Sequence, residues 1–155
     1  MPKVLHADEM SRCIGCYSCM LACARLVYHS YSPRRSAIQI RTAGGMQGRF
    51  VADICRACVE PPCATACPTG ALLARPGGGV RLDRDQCIGC QACEPACVVG
   101  AVTFLPDEPY PIVCRQCGTC VRYCPHDCLS MTEAVASVQL SADSNQPAGT
   151  LVADR

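Results

Sequence analysis

The chain of 155 residues has no tryptophan, two phenylalanines and five tyrosines. Side chains large enough to fill a core are therefore scarce. Twelve glycines and twelve prolines thin it further, so the polypeptide alone struggles to bury enough surface to fold. Charge of one sign is also missing. Fourteen Lys and Arg face thirteen Asp and Glu, a formal charge of +1, with no sustained basic run and no helix-turn-helix pattern. A nucleic-acid partner is thereby excluded from the reading. No stretch approaches the roughly 18–20 apolar residues of a membrane span. The start, "MPKVLHADEM", lacks the apolar run and small-residue cleavage site of a signal peptide. Arg34-Arg35 is a twin-arginine pair, but no apolar segment follows it. These absences give a cytoplasmic expectation. "AGGMQG" and "PGGG" lack the pattern of a phosphate-binding loop, and no nucleophile stands in a pattern with a base. Catalysis by this protein is not expected.

Cysteine is what the sequence has in abundance, seventeen in all. A small cysteine-rich protein is held together by disulfides or by metal, and a reducing compartment selects metal. Sixteen of the seventeen fall into four quartets. Cys13/Cys16/Cys19/Cys23, Cys87/Cys90/Cys93/Cys97 and Cys114/Cys117/Cys120/Cys124 follow C-x2-C-x2-C-x3-C. Cys55/Cys58/Cys63/Cys67 follows C-x2-C-x4-C-x3-C, its loop lengthened at Pro61-Pro62. The repeat continues past the cysteines: "CPTGALL" (67–73), "CVVGAVT" (97–103) and "CPHDCLS" (124–130) align, with the last cysteine of each expected to open a short helical turn.

Three thiolates packed into seven residues wrap one face of a 4Fe–4S cube. A cysteine three residues further on reaches a neighbouring cube more easily than its own. Gly15 and Gly89 relax the backbone where it passes the inorganic core. Zinc prefers separated C-x2-C pairs or mixed Cys/His sets. Here His6, His29 and His126 are the only histidines, and none replaces a quartet member. Cys128 is left over. It aligns with Ala71 and Ala101, so it is read as a buried packing thiol, with a spare or exchanging ligand as the alternative. His126 is read as a surface residue or a group tuning the cluster beside it.

Short strands and helical turns are expected around the quartets. Ala71–Ala74 and Val80–Asp83 form a hairpin through "PGGG", which joins the second and third quartets. "VLHADEMSRC" (4–13) is a looser copy of the strand "VRLDRDQC" (80–87) that enters the third. "AVTFLPDEPYP" offers one strand, followed by three prolines that block a return. In the 24–54 insertion, "AIQIRT" (37–42) and "RFVADI" (49–54) alternate as a second hairpin. Residues 132–155 are a cysteine-free tail, read as disordered or as a partner-docking arm.

"CIGCYSCMLAC", "CRACVEPPCATACPTGAL", "DQCIGCQACEPACVVGAV" and "CRQCGTCVRYCP" resemble the four-cluster ferredoxin-like subunits of multisubunit oxidoreductases. The resemblance covers residues 4–131. The compact fourth quartet "CRQCGTCVRYCPHDCL" is more similar to the small subunits of tungsten aldehyde oxidoreductases and related benzoyl-CoA reductases. Dimethyl-sulfoxide-reductase-type relatives split that motif with a long insertion. The resemblance implies an α+β fold of two nested ferredoxin-like modules in one domain. The inner module is about 51–106; the outer is about 1–50 plus 107–131.

Four 4Fe–4S clusters are implied. Cys55, Cys58 and Cys63 with Cys97 would hold one, and Cys87, Cys90 and Cys93 with Cys67 the next. Cys13, Cys16 and Cys19 with Cys124 would hold the third, and Cys114, Cys117 and Cys120 with Cys23 the fourth. The implied function is electron transfer between the catalytic subunit of a cytoplasmic oxidoreductase, a tungsten or molybdenum enzyme, and a flavin or ferredoxin-type partner. Self-association into an extended wire is a further expectation. A freely diffusing polyferredoxin and a redox-sensing protein are the alternatives. Oxidised clusters and their thiolates, at about −2 each, take the protein to about −7. The cluster of Arg34, Arg35, Arg41 and Arg49 is then either a solvated face or a docking surface.

Overall fold

The computed structural model describes residues 2–44 and 48–134. Among these residues, three two-stranded antiparallel sheets, four α-helices and two short 3-10 turns make up the fold. Strand β1 (Lys3–His6) pairs with β6 (Ser130–Glu133), setting Leu5 opposite Met131. The two ends of the described residues are thus joined, and the first and fourth quartets are carried together. Leu5 alternates inward and is buried, as a half-covered strand requires.

Strands β2 (Gln39–Thr42) and β3 (Phe50–Asp53) form the insertion hairpin that alternation in the sequence predicts. Ile38, just before its first strand, and Ile40 within it are buried, and Ile40 packs with Met20 of α1 (Ser18–Val27). Strands β4 (Leu72–Ala74) and β5 (Val80–Leu82) form the other expected hairpin, extended by one bond from the Asp83 amide to the Ala71 carbonyl. Its turn is pressed against the second quartet. A Cβ on Gly78 would lie 2.0 Å from the Ala57 carbonyl oxygen, and the Gly79 amide donates to the Cys58 carbonyl at 3.0 Å. Only glycine allows that approach.

The remaining helices are single turns: α2 (Pro62–Thr65), α3 (Cys93–Ala96) and α4 (Thr119–Arg122). Pro62 begins α2 at a position where its missing N–H has no partner to lose. Helix α1 packs against α4, and α2 against α3. Burial follows the same division. Leu5, Met20, Ile38, Ile40, Ile54 and Leu129 gather around Cys19, Cys23 and Cys120. Leu72, Val80, Val102 and Val113 gather around Cys63 and Cys93.

Three expectations change. The turn of helix in each repeat runs up to the fourth cysteine rather than opening from it: α2, α3 and α4 end before or at Cys67, Cys97 and Cys124, and a tight turn follows. The segment after Cys97 does return despite its prolines, but through a single bridge between Thr103 and Ile112. Strand β6 runs to Glu133, so a boundary placed after residue 131 falls inside it. The rest of the expected tail, 135–155, lies outside the described residues. Among the described residues no helix is long and apolar enough to cross a membrane.

Candidate metal centres

Each quartet begins with the same backbone device. The second residue between its first two cysteines has positive φ: Gly15 (71°), Ala57 (51°), Gly89 (68°) and Gln116 (55°). The residue after the second cysteine repeats this at Tyr17, Gln91 and Gly118, but not in the longer loop of the second quartet. Left-handed residues interleaved with right-handed or extended ones curl the backbone, so that its N–H groups line the concave side. Gly15 and Gly89 are legible in the sequence; Ala57 and Gln116 accept the same conformation with a side chain attached.

The third cysteine lies within or beside the first turn of its helix and is buried in all four cases: Cys19, Cys63, Cys93 and Cys120. Burial pushes the Cys19, Cys63 and Cys93 thiols up to about 11 and the Cys120 thiol up to about 12. Burial likewise raises Cys55, and takes Cys114 up to about 12. Left to themselves, these groups stay protonated at neutral pH. Iron would draw the proton off, because a coordinating thiol is held as thiolate.

Donors converge on the sulfurs. The Ala101 amide reaches Cys97 Sγ at 3.3 Å, and the Cys128 amide reaches Cys124 Sγ at 3.4 Å, equivalent bonds in two repeats. The Gln116 amide reaches Cys114 Sγ at 3.4 Å. Thr119 places its hydroxyl 3.3 Å from Cys117 Sγ, and Thr69 places its own 3.7 Å from Cys67 Sγ. The Ser18 hydroxyl and amide hold Cys16 below the ordinary thiol range. Burial works upward on Cys67, but the Leu72 amide and Thr69 hydroxyl, with two further amides, bring it below that range. The sequence reading missed these hydroxyls. Their signal is a Ser or Thr two residues after a cysteine, at Cys16, Cys67 and Cys117.

Among the described residues, four cavities are lined by cysteines. One has Cys55, Cys58, Cys63, Cys97 and Cys114. A second has Cys67, Cys87, Cys90 and Cys93. A third has Cys13, Cys16, Cys19 and Cys124, and a fourth has Cys23, Cys114, Cys117 and Cys120. Every cavity holds the first three cysteines of one quartet and the fourth of another; Cys114 joins the first of these cavities as a fifth cysteine. Among the described residues, no three His, Cys, Asp or Glu side chains close in tightly enough to hold a single metal ion. The sulfurs stand around voids, and an all-thiolate shell around a void suits a multi-atom iron–sulfur group. The residues fit such a group. Cys128 is buried and lines the third cavity together with His126. Burial pushes its thiol up to about 12.

A sequence family described as a 4Fe-4S binding domain matches residues 10–28, 84–100 and 113–134, the segments that carry the first, third and fourth quartets. The protein is 32% identical over 141 residues to the thiosulfate reductase electron transfer subunit PhsB of Salmonella typhi, covering 81% of this sequence and 72% of that one. It is 32% identical over 139 residues to the B subunit of the anaerobic dimethyl sulfoxide reductase of Escherichia coli K12, covering 76% and 67%. Two further relatives are longer, and the present sequence spans 29% and 53% of their lengths. Among solved structures, the active-site complex BamBC of benzoyl-coenzyme A reductase superimposes with a TM-score of 0.49 at 18% identity, covering 93% of this protein and 83% of that one.

Proposed function

This protein belongs to the family of ferredoxin-like iron–sulfur electron-transfer subunits, and on that premise we propose that it carries four 4Fe–4S clusters as the wire of a multisubunit oxidoreductase. It transfers electrons; chemistry on substrate belongs to a catalytic subunit bound to it. One observation carries the four-cluster reading: four cavities, each lined by the first three cysteines of one quartet together with the fourth cysteine of another.

The proposed ligands follow those cavities. Cys55, Cys58, Cys63 and Cys97 hold one cluster, and Cys87, Cys90, Cys93 and Cys67 its neighbour, in the module built on the β4–β5 hairpin. Cys13, Cys16, Cys19 and Cys124 hold a third, and Cys114, Cys117, Cys120 and Cys23 the fourth, in the module closed by β1 and β6. The first module is nested within the second along the sequence. When bound, the clusters supply one-electron chemistry. The protein fixes their spacing, excludes water with Leu72, Val102 and Ile40, and aims the Ala101, Cys128 and Gln116 amides at ligand sulfur. Such donors stabilise the more negative, reduced state and so raise its potential.

The catalytic partner we propose is a tungsten or molybdenum enzyme, with an aldehyde oxidoreductase favoured by the compact fourth quartet. A flavin-bearing or ferredoxin-type partner would occupy the other end, or copies of the protein would join end to end, in the cytoplasm. Anaerobic co-purification with mass spectrometry of the bound proteins tests this. Recovery of the protein without a partner, exchanging electrons equally with unrelated reductases, would instead establish a freely diffusing polyferredoxin.

A further inference from the structure

A hollow of about 520 Å³ opens beside the β4–β5 hairpin, and four of its lining residues are arginines: Arg75, Arg81, Arg84 and Arg115. No carboxylate among the described residues lines it. Among the described residues the ion pairs are Arg35 with Glu108 and Arg41 with Asp53, so none of these four is paired. Asp83, next to Arg84 in sequence, is turned into its own loop, accepting from the Asp85 amide and the Gln86 side chain, each at 3.1 Å. Arg75 donates to the Arg115 carbonyl at 2.9 Å, which fixes one side of the hollow. Arg81, Arg84 and Arg115 are exposed and within reach of a macromolecule.

The apolar floor gives the hollow its meaning. Val80 and Val113 also line the cavity of Cys55, Cys58, Cys63 and Cys97. Leu82 and Pro111 also line that of Cys67, Cys87, Cys90 and Cys93. Tyr28 and Val113 also line that of Cys23, Cys114, Cys117 and Cys120. One side chain therefore separates this surface from three of the four cysteine cavities. In a holo protein of about −7, a concave group of four guanidinium ions without an ion-pair partner among the described residues is a local reversal of sign that focuses attraction on anionic partners.

We propose that this arginine hollow is an electron-exchange port that docks a protruding, carboxylate-rich segment of an acidic redox protein. The proposal rests on the four-cluster reading above. One electron passes between a cluster behind the floor and the one-electron centre of the partner; no bond is made or broken. Guanidinium forks suit carboxylate pairs, and the shared walls keep the tunnelling path short.

The test uses the anaerobic holo protein, its Arg81→Gln/Arg84→Gln variant, and an Arg34→Gln/Arg122→Gln control that removes two arginines outside the hollow. Binding of a labelled hexaglutamate peptide is read by fluorescence anisotropy. Oxidation of the dithionite-reduced clusters is followed by stopped flow with anionic hexacyanoferrate(III) and with cationic hexaamminecobalt(III). In the hollow variant, peptide affinity and the hexacyanoferrate rate should each fall about tenfold at low salt, while the cobalt rate does not fall. The control should change neither by more than about twofold. Equal losses in hollow and control variants overturn the port. So does loss of iron from the hollow variant, because the arginines would then be balancing cluster charge. Binding by inorganic pyrophosphate that displaces the peptide completely at equal concentration would make the hollow a small-anion site and overturn it as well. Fewer than about sixteen irons in the unaltered protein would sink the four-cluster reading beneath it.

Discussion

The Leu5 amide donates to Oε1 of Gln116 at 2.7 Å, across 111 residues of sequence. The same side chain turns Nε2 toward the Cys55 carbonyl at 3.4 Å, and its own amide donates to Cys114 Sγ. A buried glutamine thus ties β1, the fourth quartet and the second quartet together. Gln116→Ala leaves the Leu5 amide buried without a partner, at a cost of about 1–3 kcal/mol. Anaerobic urea denaturation of the holo variant should show a correspondingly lower midpoint. An unchanged midpoint would mean that water replaces the glutamine without cost.

Cofactor load is the next expectation. Intact quartets should retain about sixteen iron and sixteen acid-labile sulfide per molecule. Because cysteine thiols occupy both buried groups of side chains, chelating the iron should unfold the protein, seen as loss of far-ultraviolet dichroism together with the visible absorbance. Half the load, or substantial zinc, counts against the four cavities as cluster sites.

Cys67→Ser separates nested from local ligation. Cys67 lines the cavity of Cys87, Cys90 and Cys93, and its charge acts on Cys93. The variant should lose or alter the cluster of the third quartet while that of Cys55, Cys58 and Cys63 persists. An anomalous-scattering map with Cys67 on the latter cluster would contradict the scheme.

Cys128→Ala should keep all four electron-paramagnetic signals, since Ala71 and Ala101 hold the equivalent buried positions. Its amide bond to Cys124 Sγ comes from the backbone and survives the change. Loss of one signal would make Cys128 a ligand of the third cavity.

Truncation after Ala134 should leave the cluster load intact and weaken binding to the catalytic subunit. Cutting two residues earlier, after Thr132, removes the Glu133 partner of Lys3 and should destabilise the fold as well. Full stoichiometry of the complex after truncation at Ala134 would exclude the tail from the interface.

The quartets, both hairpins and the left-handed glycines at positions 15 and 89 were legible because each depends on spacing within a dozen or so residues. A C-x2-C-x2-C run already determines the local curl, whatever surrounds it. Other features were not legible. The Thr103–Ile112 bridge forms across three prolines because it needs only two bonds between single residues, which the prolines do not occupy. Ser18, Thr69 and Thr119 each stand two residues after a cysteine, but Ser and Thr are common in loops, and only their hydrogen bonds to sulfur single them out.

By itself, the sequence determined that this protein binds iron–sulfur clusters, since sixteen cysteines in four short quartets have no comparable use in so small a protein. Tertiary structure alone decided which cysteines share a cavity. The fourth cysteine of each quartet lies a turn of helix beyond the third and is carried away from its own loop, so its partners depend on how α1 meets α4 and α2 meets α3. The pairing of β1 with β6 and the reach of Gln116 settle that packing through contacts more than a hundred residues apart. The arginine hollow has the same origin: its charges come from the hairpin and from the fourth quartet, and only folding brings them onto one wall.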